Sequence, residues 1–365
     1  EIKRFSKINE KNKKRNIEFV KFSMLLNIAI SVLLNAVLIS IILFSGYQAS
    51  SGGDFTIGDL SKFIAYFNTL TWPMMAIGQL INIRSQGKAS LERINALLDY
   101  PVEIKDEDVV DVEIKGHITF NNLTFQYPGS NINALENICL DIPQGTSVGI
   151  LGRTGSGKTT LVDMLLRLYN VEKESIFIDG VDIMNVGLKN LRDNIGYVPQ
   201  DNFLFSKTVL DNICFSEESN DLEKAKLYAK YASVDTNIED FPEKYDTVLG
   251  ERGVTLSGGQ RQRISIARAM IKDPAILILD DSVSAVDTET EEKILSYLKQ
   301  TRKNKTTILV AHRISTVKDM DLIVLLDDGK VIAKGRHEEL LETSKEYKDM
   351  VLLQQLDEEE VGSHE

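Results

Sequence analysis

The first part of the chain contains two long uncharged stretches. After them, short apolar runs alternate with helical patterns. Residues 22–44 contain 23 residues without a charge, and residues 63–83 contain 21. At about 1.5 Å per residue, a helix of either length can cross the hydrocarbon core of a bilayer. A buried helix of a large soluble protein is the alternative for each stretch. Two such stretches in succession favour a pair of membrane spans.

Basic residues flank the predicted pair of spans on one side. Residues 1–21 hold eight Lys or Arg and three Glu, and Arg84, Lys88 and Arg93 follow the second span. Between the spans, residues 45–62 contain a single basic residue, Lys62. Positively charged flanks stay in the cytoplasm. We therefore predict an outward-facing loop between the spans and a cytoplasmic location for everything after residue 84.

Polar side chains interrupt both predicted spans. Because lipid-facing amides are costly, we expect these side chains to face other helices or a water-filled cavity. Interhelical hydrogen bonding alone and a polar translocation path both remain open, and Pro73 is expected to bend the second span. The polar residues are Asn27, Ser31, Asn35 and Ser40 in the first span, and Asn68, Thr69, Thr71, Gln79 and Asn82 in the second.

The pattern after the spans predicts a separate domain. Residues 1–98 form a partial transmembrane domain, and Pro101 and a run of acidic residues predict a linker at residues 99–115. From residue 116 to 357, β-rich apolar runs alternate with helical patterns, which predicts an α/β domain with a mainly parallel sheet. The acidic end, residues 358–365, is predicted to be disordered. Two helices cannot enclose a path, and the chain begins with Glu1 rather than Met, so we expect it to be the C-terminal part of a longer protein.

Charge and composition exclude some classes of function. The chain carries a net charge of −12 although its first 21 residues are basic, so its body is strongly acidic and unsuited to nucleic acid as a main partner. Cys139 and Cys214 do not make a disulfide framework and predict two buried thiols in a reducing compartment. The residues His117, His337 and His364 match no motif and are predicted to be surface or packing residues.

A phosphate-binding loop is predicted at "GRTGSGKT", residues 152–159, between an apolar strand and a helical run. Glycines let backbone N–H groups curl around phosphate oxygens, Lys158 reaches the β- and γ-phosphates, and the Thr159 hydroxyl ligates magnesium. A glycine-rich turn alone would not explain the register of Lys158 and Thr159. The predicted nucleotide-binding residues are Gly152, Arg153, Thr154, Gly155, Ser156, Gly157, Lys158, Thr159 and Thr160.

Two adjacent carboxylates, Asp280 and Asp281, follow the apolar run "ILIL". A carboxylate at the end of such a strand, downstream of a phosphate loop, organises magnesium in nucleotide-hydrolysing folds. An apolar strand that ends in aspartate is common, and its distance after Lys158 strengthens the assignment to a magnesium site. It predicts Asp280 as a metal ligand and Asp281 at the position of a catalytic base.

The stretch "LSGGQRQRISIARAM", residues 256–270, resembles the signature motif of ATP-binding cassette (ABC) proteins. Its Ser257, Gly258, Gly259 and Gln260 can present a hydroxyl and N–H groups to an anion at the start of a helix. A helix cap followed by a basic helix is the plainer interpretation. The resemblance implies that these four residues bind ATP held by a partner domain.

Other segments resemble ABC motifs in the same order. Tyr127 matches the aromatic residue that stacks on adenine, Gln200 matches the glutamine that contacts magnesium and the attacking water, and His312 matches the histidine that contacts the γ-phosphate. Residues 284–287, "SAVD", match the loop that crosses to the partner domain, and residues 250–253, "GERG", match a short motif found just before the signature in exporters.

The resemblance extends to ABC exporter half-transporters, which have six spans. It implies that this chain holds the last two spans and an ABC nucleotide-binding domain of the P-loop NTPase class, with a helical subdomain at about residues 201–268. It further implies ATP and Mg²⁺ as cofactors, a multi-pass location in the cell membrane, and a second half-transporter as partner. For the cargo, the resemblance implies a drug or other amphipathic small molecule.

At the position of Asp281 most members of that family have glutamate. The shorter side chain favours a slow site paired with a better one in a heterodimeric multidrug exporter. In that arrangement Lys158, Gln200, Asp281 and His312 are the catalytic residues, and Thr159, Gln200 and Asp280 hold the metal. A homodimeric exporter of lipid or peptide, a non-transporting ATP-sensing regulator and a soluble ABC ATPase remain as alternatives.

Overall fold

The computed structural model describes residues 2–52, 56–250, 256–284 and 286–362, and the chain divides into two units. The first unit comprises Glu1–Pro101 and the second Val102–Glu365. The boundary falls inside the predicted linker at residues 99–115.

The described part of the first unit contains two long helices, α1 (Ile2–Ser50) and α2 (Ile57–Leu98). The side chain of Thr56 accepts a hydrogen bond from the Asp59 N–H, and Asp59 returns one to the backbone of Thr56, so a capping box begins α2. The predicted spans at residues 22–44 and 63–83 lie inside these helices. Among the described residues, one helix, in the stretch Phe5–Gln48, is long and apolar enough to qualify as a span by length and composition.

Polar side chains in these two helices bond to their own backbone. Asn35 Nδ2 donates to the Ser31 carbonyl oxygen at 2.8 Å, and Thr71 Oγ1 donates to the Phe67 carbonyl oxygen at 2.8 Å. These partners reduce the cost of placing such groups in hydrocarbon, whichever neighbour they face. Pro73 lies within α2, which continues past it.

Within the described residues of the second unit, ten strands form two sheets. The larger sheet has the order β10-β9-β3-β8-β7-β6, with every neighbouring pair parallel except β10 with β9, and the smaller is antiparallel with the order β2-β1-β4-β5. The prediction of an α/β domain with a mainly parallel sheet is confirmed. The strands are β1 (Ile118–Gln126), β2 (Asn133–Ile142), β3 (Ser147–Gly152), β4 (Ile176–Ile178), β5 (Val181–Asp182), β6 (Ile195–Val198), β7 (Ile276–Asp280), β8 (Thr306–Val310), β9 (Leu322–Asp327) and β10 (Lys330–Gly335).

Helices cover the larger sheet, and those from α5 to α8 lie between β6 and β7 in sequence, in the region predicted to be a helical subdomain. The final helix continues to Gly362 and so enters the segment 358–365, for which the sequence predicts disorder. No proline or glycine interrupts the acidic run before Gly362. Residues 363–365 lie outside the described part. The helices are α3 (Lys158–Leu165), α4 (Leu188–Asp193), α5 (Val209–Ile213), α6 (Leu222–Tyr231), α7 (Asp235–Glu239), α8 (Gly258–Met270), α9 (Thr288–Thr301), α10 (Ile314–Val317), α11 (His337–Thr343) and α12 (Lys345–Gly362), with 3-10 turns at Ile183–Asn185 and Lys244–Asp246.

The parallel strands divide the apolar interior in two. Every residue of β7 and β8 is buried, and successive side chains point to opposite faces. Ile278 and Ile308 face the cluster built from the antiparallel sheet and α3, whereas Leu277 and Leu309 face the cluster built from the helices. This double burial holds the carboxyl ends of the strands in fixed positions, and the candidate site lies at those ends.

The two cysteines lie in different environments. Cys214 is buried, but Cys139 is exposed, so the prediction of two buried thiols is wrong for Cys139. In β2 the flanking Ile138 and Leu140 point inward, and the alternation of the strand therefore turns the Cys139 side chain to solvent.

The predicted linker is hydrogen-bonded along the second unit over residues 103–112, here called the strap. Arg167, 1% exposed, donates from Nη2 to the Lys105 carbonyl oxygen at 2.6 Å and from Nη1 to the Val186 carbonyl oxygen at 3.1 Å. Further bonds join Asn170 to Glu103, Leu188 to Asp106, Asn185 to Asp108, Val110 to Asn185 and Asn190 to Val112. The strap is therefore part of the folded domain.

The substitution Arg167→Met is expected to lower the free energy of unfolding by about 2–3 kcal/mol, because it leaves two carbonyl groups without a hydrogen-bond donor. That loss corresponds to a melting temperature roughly 5–10 °C lower. Thermal unfolding of the purified chain measures it, with the exposed Lys173→Met as a control. Equal melting temperatures for the two variants would contradict the importance of the Arg167 bonds.

Candidate functional site

The predicted phosphate loop connects β3 to α3. β3 ends at Gly152, and α3 begins at Lys158 after Gly157, whose φ of 99° is left-handed. A Cβ at Gly157 would lie 2.8 Å from the Ala134 carbonyl oxygen, so glycine is needed there for both conformation and space. Gly157 offers no side-chain cap, which leaves the first N–H groups of α3 available to an anion.

Lys158 is folded against its own loop. Its Nζ donates to the carbonyl oxygens of Gly152 at 2.8 Å and Arg153 at 2.9 Å, and the residue is 6% exposed. Burial lowers the pKa of this amine, while the nearby carboxylates of Asp280 and Asp281 oppose the shift. The amine is thus held at the base of the loop, beside the two aspartates.

Asp280 ends β7 and carries a buried carboxylate. The residue is 2% exposed, and its Oδ2 has no hydrogen-bond partner among the described residues. Burial raises the pKa of Asp280; a hydrogen bond from Thr159 opposes this, and the charge of Asp281 adds to it. An unsatisfied buried oxygen is costly, and a divalent cation would remove that cost. The residues therefore fit the predicted magnesium, which Thr159 and Gln200 would bind together with Asp280.

The charges of Asp281 and Asp163 lie close enough to interact with this carboxylate. No cluster of three His, Cys, Asp or Glu side chains suited to a metal occurs in the part of the chain that the structure describes. A site with one protein carboxylate suits Mg²⁺, which is usually bound by one or two carboxylates together with substrate phosphates.

Asp281 has a left-handed backbone with φ 47°. Aspartate adopts this conformation several times more readily than most residues with a Cβ. Its N–H donates to the Val310 carbonyl oxygen at 3.0 Å, which ties it to β8, and Gln200 Nε2 donates to Asp281 Oδ2 at 3.3 Å. The structure therefore joins the predicted base and the predicted water-binding glutamine directly.

Tyr127 lies at the rim of the same region. Its hydroxyl hydrogen-bonds with Thr160 Oγ1 at 2.9 Å, and its ring contacts Phe125 and Tyr169 edge-on at centroid distances of 5.1 Å and 5.3 Å. Burial raises the pKa of the Tyr127 hydroxyl. These contacts fix the ring where a planar ligand can stack on it.

One cavity of about 530 Å³ gathers most of the predicted residues, and its volume lies in the range of ligand pockets. Gly152, Arg153 and Ser156 belong to the same loop but do not line the cavity. The predicted residues that line it are Tyr127, Thr154, Gly155, Gly157, Lys158, Thr159, Thr160, Gln200, Asp280, Asp281 and His312.

Six further lining residues carry no motif that the sequence analysis detected: Ser130, Ile132, Asn133, Ala134, Asp328 and Gly329. Ser130 and Ile132 precede β2, Asn133 and Ala134 are its first two residues, and the other two residues form the turn between β9 and β10. The Gly329 N–H donates to the Ser156 carbonyl oxygen at 3.1 Å, which brings this turn against the loop. The "DDG" run signals a turn, but only the position of β9 beside β3 indicates where that turn lies.

The signature residues do not line this cavity. Ser257 caps α8: its Oγ accepts from the Gln260 N–H at 3.2 Å, and Gln260 Oε1 accepts from the Ser257 N–H at 3.0 Å. This is the helix cap that the plainer interpretation predicts, and binding of a partner's nucleotide stays a prediction. Residues 251–253 of "GERG" and Ala285 of "SAVD" lie outside the described residues.

Two other histidines have local partners. His117 Nε2 contacts Asp141 Oδ1 at 2.8 Å, and His337 Nδ1 contacts the Tyr347 hydroxyl at 2.8 Å. Both lie away from the cavity, and His364 lies outside the described residues. Of the histidines in the described part, only His312 lines the cavity.

Known proteins similar to this chain combine the same two parts. The family model described as ABC transporter matches residues 135–284, and the model described as ABC transporter transmembrane region matches residues 1–74. The solved structure of a bacterial Atm1-family ABC exporter with ATP bound is similar with a TM-score of 0.80 and 35% identity, over 90% of this chain and 58% of that one.

Curated relatives align along nearly the whole chain. The probable multidrug resistance ABC transporter ATP-binding/permease protein YheI of Bacillus subtilis is 39% identical over 98% of this chain and 61% of its own length. The ATP-dependent lipid A-core flippase of Haemophilus influenzae is 34% identical over 97% of this chain and 60% of its own length. The chain thus spans about 60% of the length of these relatives.

Proposed function

Because the chain belongs to the ABC transporter family, with an ATPase domain behind part of a transmembrane region, we propose that it forms the C-terminal portion of an exporter half-transporter and hydrolyses ATP to drive transport. It is a multi-pass membrane protein with a cytoplasmic ATPase domain. The observation that carries the proposal is the cavity in which Lys158, Asp280, Asp281, Gln200 and His312 converge.

ATP fits this cavity in one orientation. Tyr127 would stack on the adenine, and the loop N–H groups and Lys158 would bind the phosphates. Thr159, Gln200 and Asp280 would hold Mg²⁺, which when bound neutralises phosphate charge. The buried Oδ2 of Asp280, which has no hydrogen-bond partner among the described residues, supports this assignment.

Hydrolysis requires a water oxygen to attack the γ-phosphorus while the bond to the β–γ bridging oxygen breaks and ADP leaves. Asp281 would accept the proton of that water, and Gln200, which donates to Asp281 at 3.3 Å, would orient the water beside it. His312 would donate a hydrogen bond to the γ-phosphate as negative charge redistributes.

The length of Asp281 supports a slow site. Aspartate is one methylene shorter than glutamate, so its carboxylate reaches about 1.5 Å less far. A misplacement of about 1 Å can cost on the order of a hundredfold in rate. ATP binding should survive because Lys158, Thr159 and Asp280 do not depend on that reach.

A slow site points to an unequal pair of subunits. We place Ser257, Gly258, Gly259 and Gln260 against the ATP of a second half-transporter, whose own glutamate would supply fast hydrolysis. Their absence from the cavity lining supports a role away from this chain's own site. A homodimer in which Asp281 works well is the competing arrangement.

The cargo we propose is a drug or other amphipathic small molecule, since relatives include a probable multidrug resistance transporter. Other relatives are a lipid A-core flippase and a leukotoxin export protein, so lipid and peptide cargo are the alternatives to separate.

Proteoliposomes containing the full-length half-transporter, alone or with its partner, test this proposal. We expect ATP-dependent accumulation of an amphipathic cationic dye in the presence of the partner and none with Lys158→Ala. A fluorescent lipid analogue and a labelled peptide serve as competing cargoes. ATP binding without movement of any of the three would contradict the transporter proposal and favour a regulatory protein.

A further inference from the structure

Helix α12 turns one face toward the domain core. Tyr347 is fully buried, and Met350 and Val351 pack against the cluster that contains Ile314. Positions three, four and seven residues apart share a helix face, so Gln354 continues the face that starts at Tyr347. A polar side chain therefore stands at a core-facing position of the last helix.

Gln354 hydrogen-bonds to the backbone on both sides of Arg313. Its Oε1 accepts from the Ile314 N–H at 2.8 Å, and its Nε2 donates to the His312 carbonyl oxygen at 2.7 Å. Helix α10 begins at Ile314, and its N-cap residue Arg313 makes no side-chain capping bond. The first N–H groups of a helix lack intrahelical partners. Gln354, on α12, therefore supplies the hydrogen-bond acceptor that the N-cap residue does not.

We propose that Gln354 is a positioning residue that holds His312 in the orientation needed at the γ-phosphate. This inference rests on the proposed function, in which His312 contacts that phosphate. The two bonds fix the carbonyl of His312 and the residue two places after it, which restricts rotation of the intervening peptide planes. Because small displacements of a catalytic group cost rate more than affinity, loss of the bonds should lower turnover and spare ATP binding.

Turnover of the full-length chain in lipid, with Asp281→Glu as the active reference, tests the kinetic part. We expect Gln354→Leu, which keeps the size of the side chain and removes both bonds, to lower kcat about tenfold with KM for ATP changed less than twofold. The exposed neighbouring residue gives the matched control, Gln355→Leu, which should match the reference. Equal kcat for the two leucine variants would overturn the proposal.

A double-mutant cycle separates positioning from general structural support. If Gln354 acts through His312, adding Gln354→Leu to His312→Ala should cost less than a further twofold in kcat. A full additional tenfold loss in the double variant would overturn the proposal, because it would mean that Gln354 acts on turnover without His312.

Hydrogen exchange tests the contact without any need for hydrolysis. The Ile314 amide should exchange faster in Gln354→Leu than in Gln355→Leu, since the acceptor is removed in the first variant alone. Unchanged exchange would overturn the proposal. Faster exchange together with an Asp281→Glu reference that stays inactive even when the second half-transporter is present would support the contact and count against the proposed ATPase function instead.

Discussion

Replacing Asp281 with glutamate is expected to raise ATP hydrolysis by the full-length chain on the order of a hundredfold, or about 2.7 kcal/mol of activation free energy. The added methylene would carry the carboxylate forward from a backbone that the bond to Val310 fixes, toward the water beside Gln200. ATP hydrolysis by the chain expressed alone in lipid measures the gain.

The variant Asp281→Asn is the matched control, because it keeps the length of aspartate and removes the base. It should be silent. The left-handed φ of 47° suits aspartate better than glutamate. The Asp281→Glu variant should therefore have a slightly lower melting temperature than the unmodified chain. If the unmodified chain already hydrolyses ATP quickly, the slow-site proposal is wrong and a homodimer becomes the better arrangement. If the unmodified chain and the Asp281→Glu variant are both silent, co-expression with the second half-transporter is required.

Replacing Lys158 with alanine is expected to reduce ATP hydrolysis by the Asp281→Glu chain on the order of 10²–10³-fold and to weaken ATP binding, since it removes a positive charge aimed at the phosphates. Lys158→Arg should restore little: the residue is 6% exposed, its Nζ is held by two loop carbonyl groups, and a planar guanidinium does not fit that space.

The measurements for Lys158 are turnover, binding of a fluorescent ATP analogue and melting temperature. Burial lowers the pKa of this amine, so the folded protein gains little from its charge, but Lys158→Ala also removes the hydrogen bonds to the carbonyl oxygens of Gly152 and Arg153 and should therefore melt a few degrees below the reference. Retention of a tenth or more of the turnover would contradict the role given to Lys158. A large fall in melting temperature would show instead that the loop collapses without the side chain.

Local pattern predicts one wall of the cavity and not the other. Lys158 and Asp280 follow apolar strands directly, so their positions at the carboxyl end of a sheet follow from neighbouring residues. The wall formed by residues 130–134 and 328–329 depends on the order of β9 beside β3. That order arises from contacts between segments well over a hundred residues apart, which periodicity does not reveal.

The strap shows the same limit. Its acidic composition predicts an irregular segment but does not indicate which residues bond to it: Arg167 and Asn170, for example, lie more than 60 residues later. An arginine beyond a helix end resembles a surface residue in sequence. The helix bounds differ for a local reason: α1 begins at Ile2, because the basic residues before the first predicted span are good helix formers.

The contrast between the two cysteines makes one site in the ATPase domain selectively reactive toward thiol reagents. Cys139 presents its thiol to water, whereas burial encloses Cys214 and raises the pKa of its thiol, which keeps the reactive thiolate scarce. A dye or spin label would therefore attach at one known point per folded chain without any engineered cysteine. Labelling of the Cys214 thiol would show that the helical side of the core has opened, so the native cysteines report unfolding of the domain.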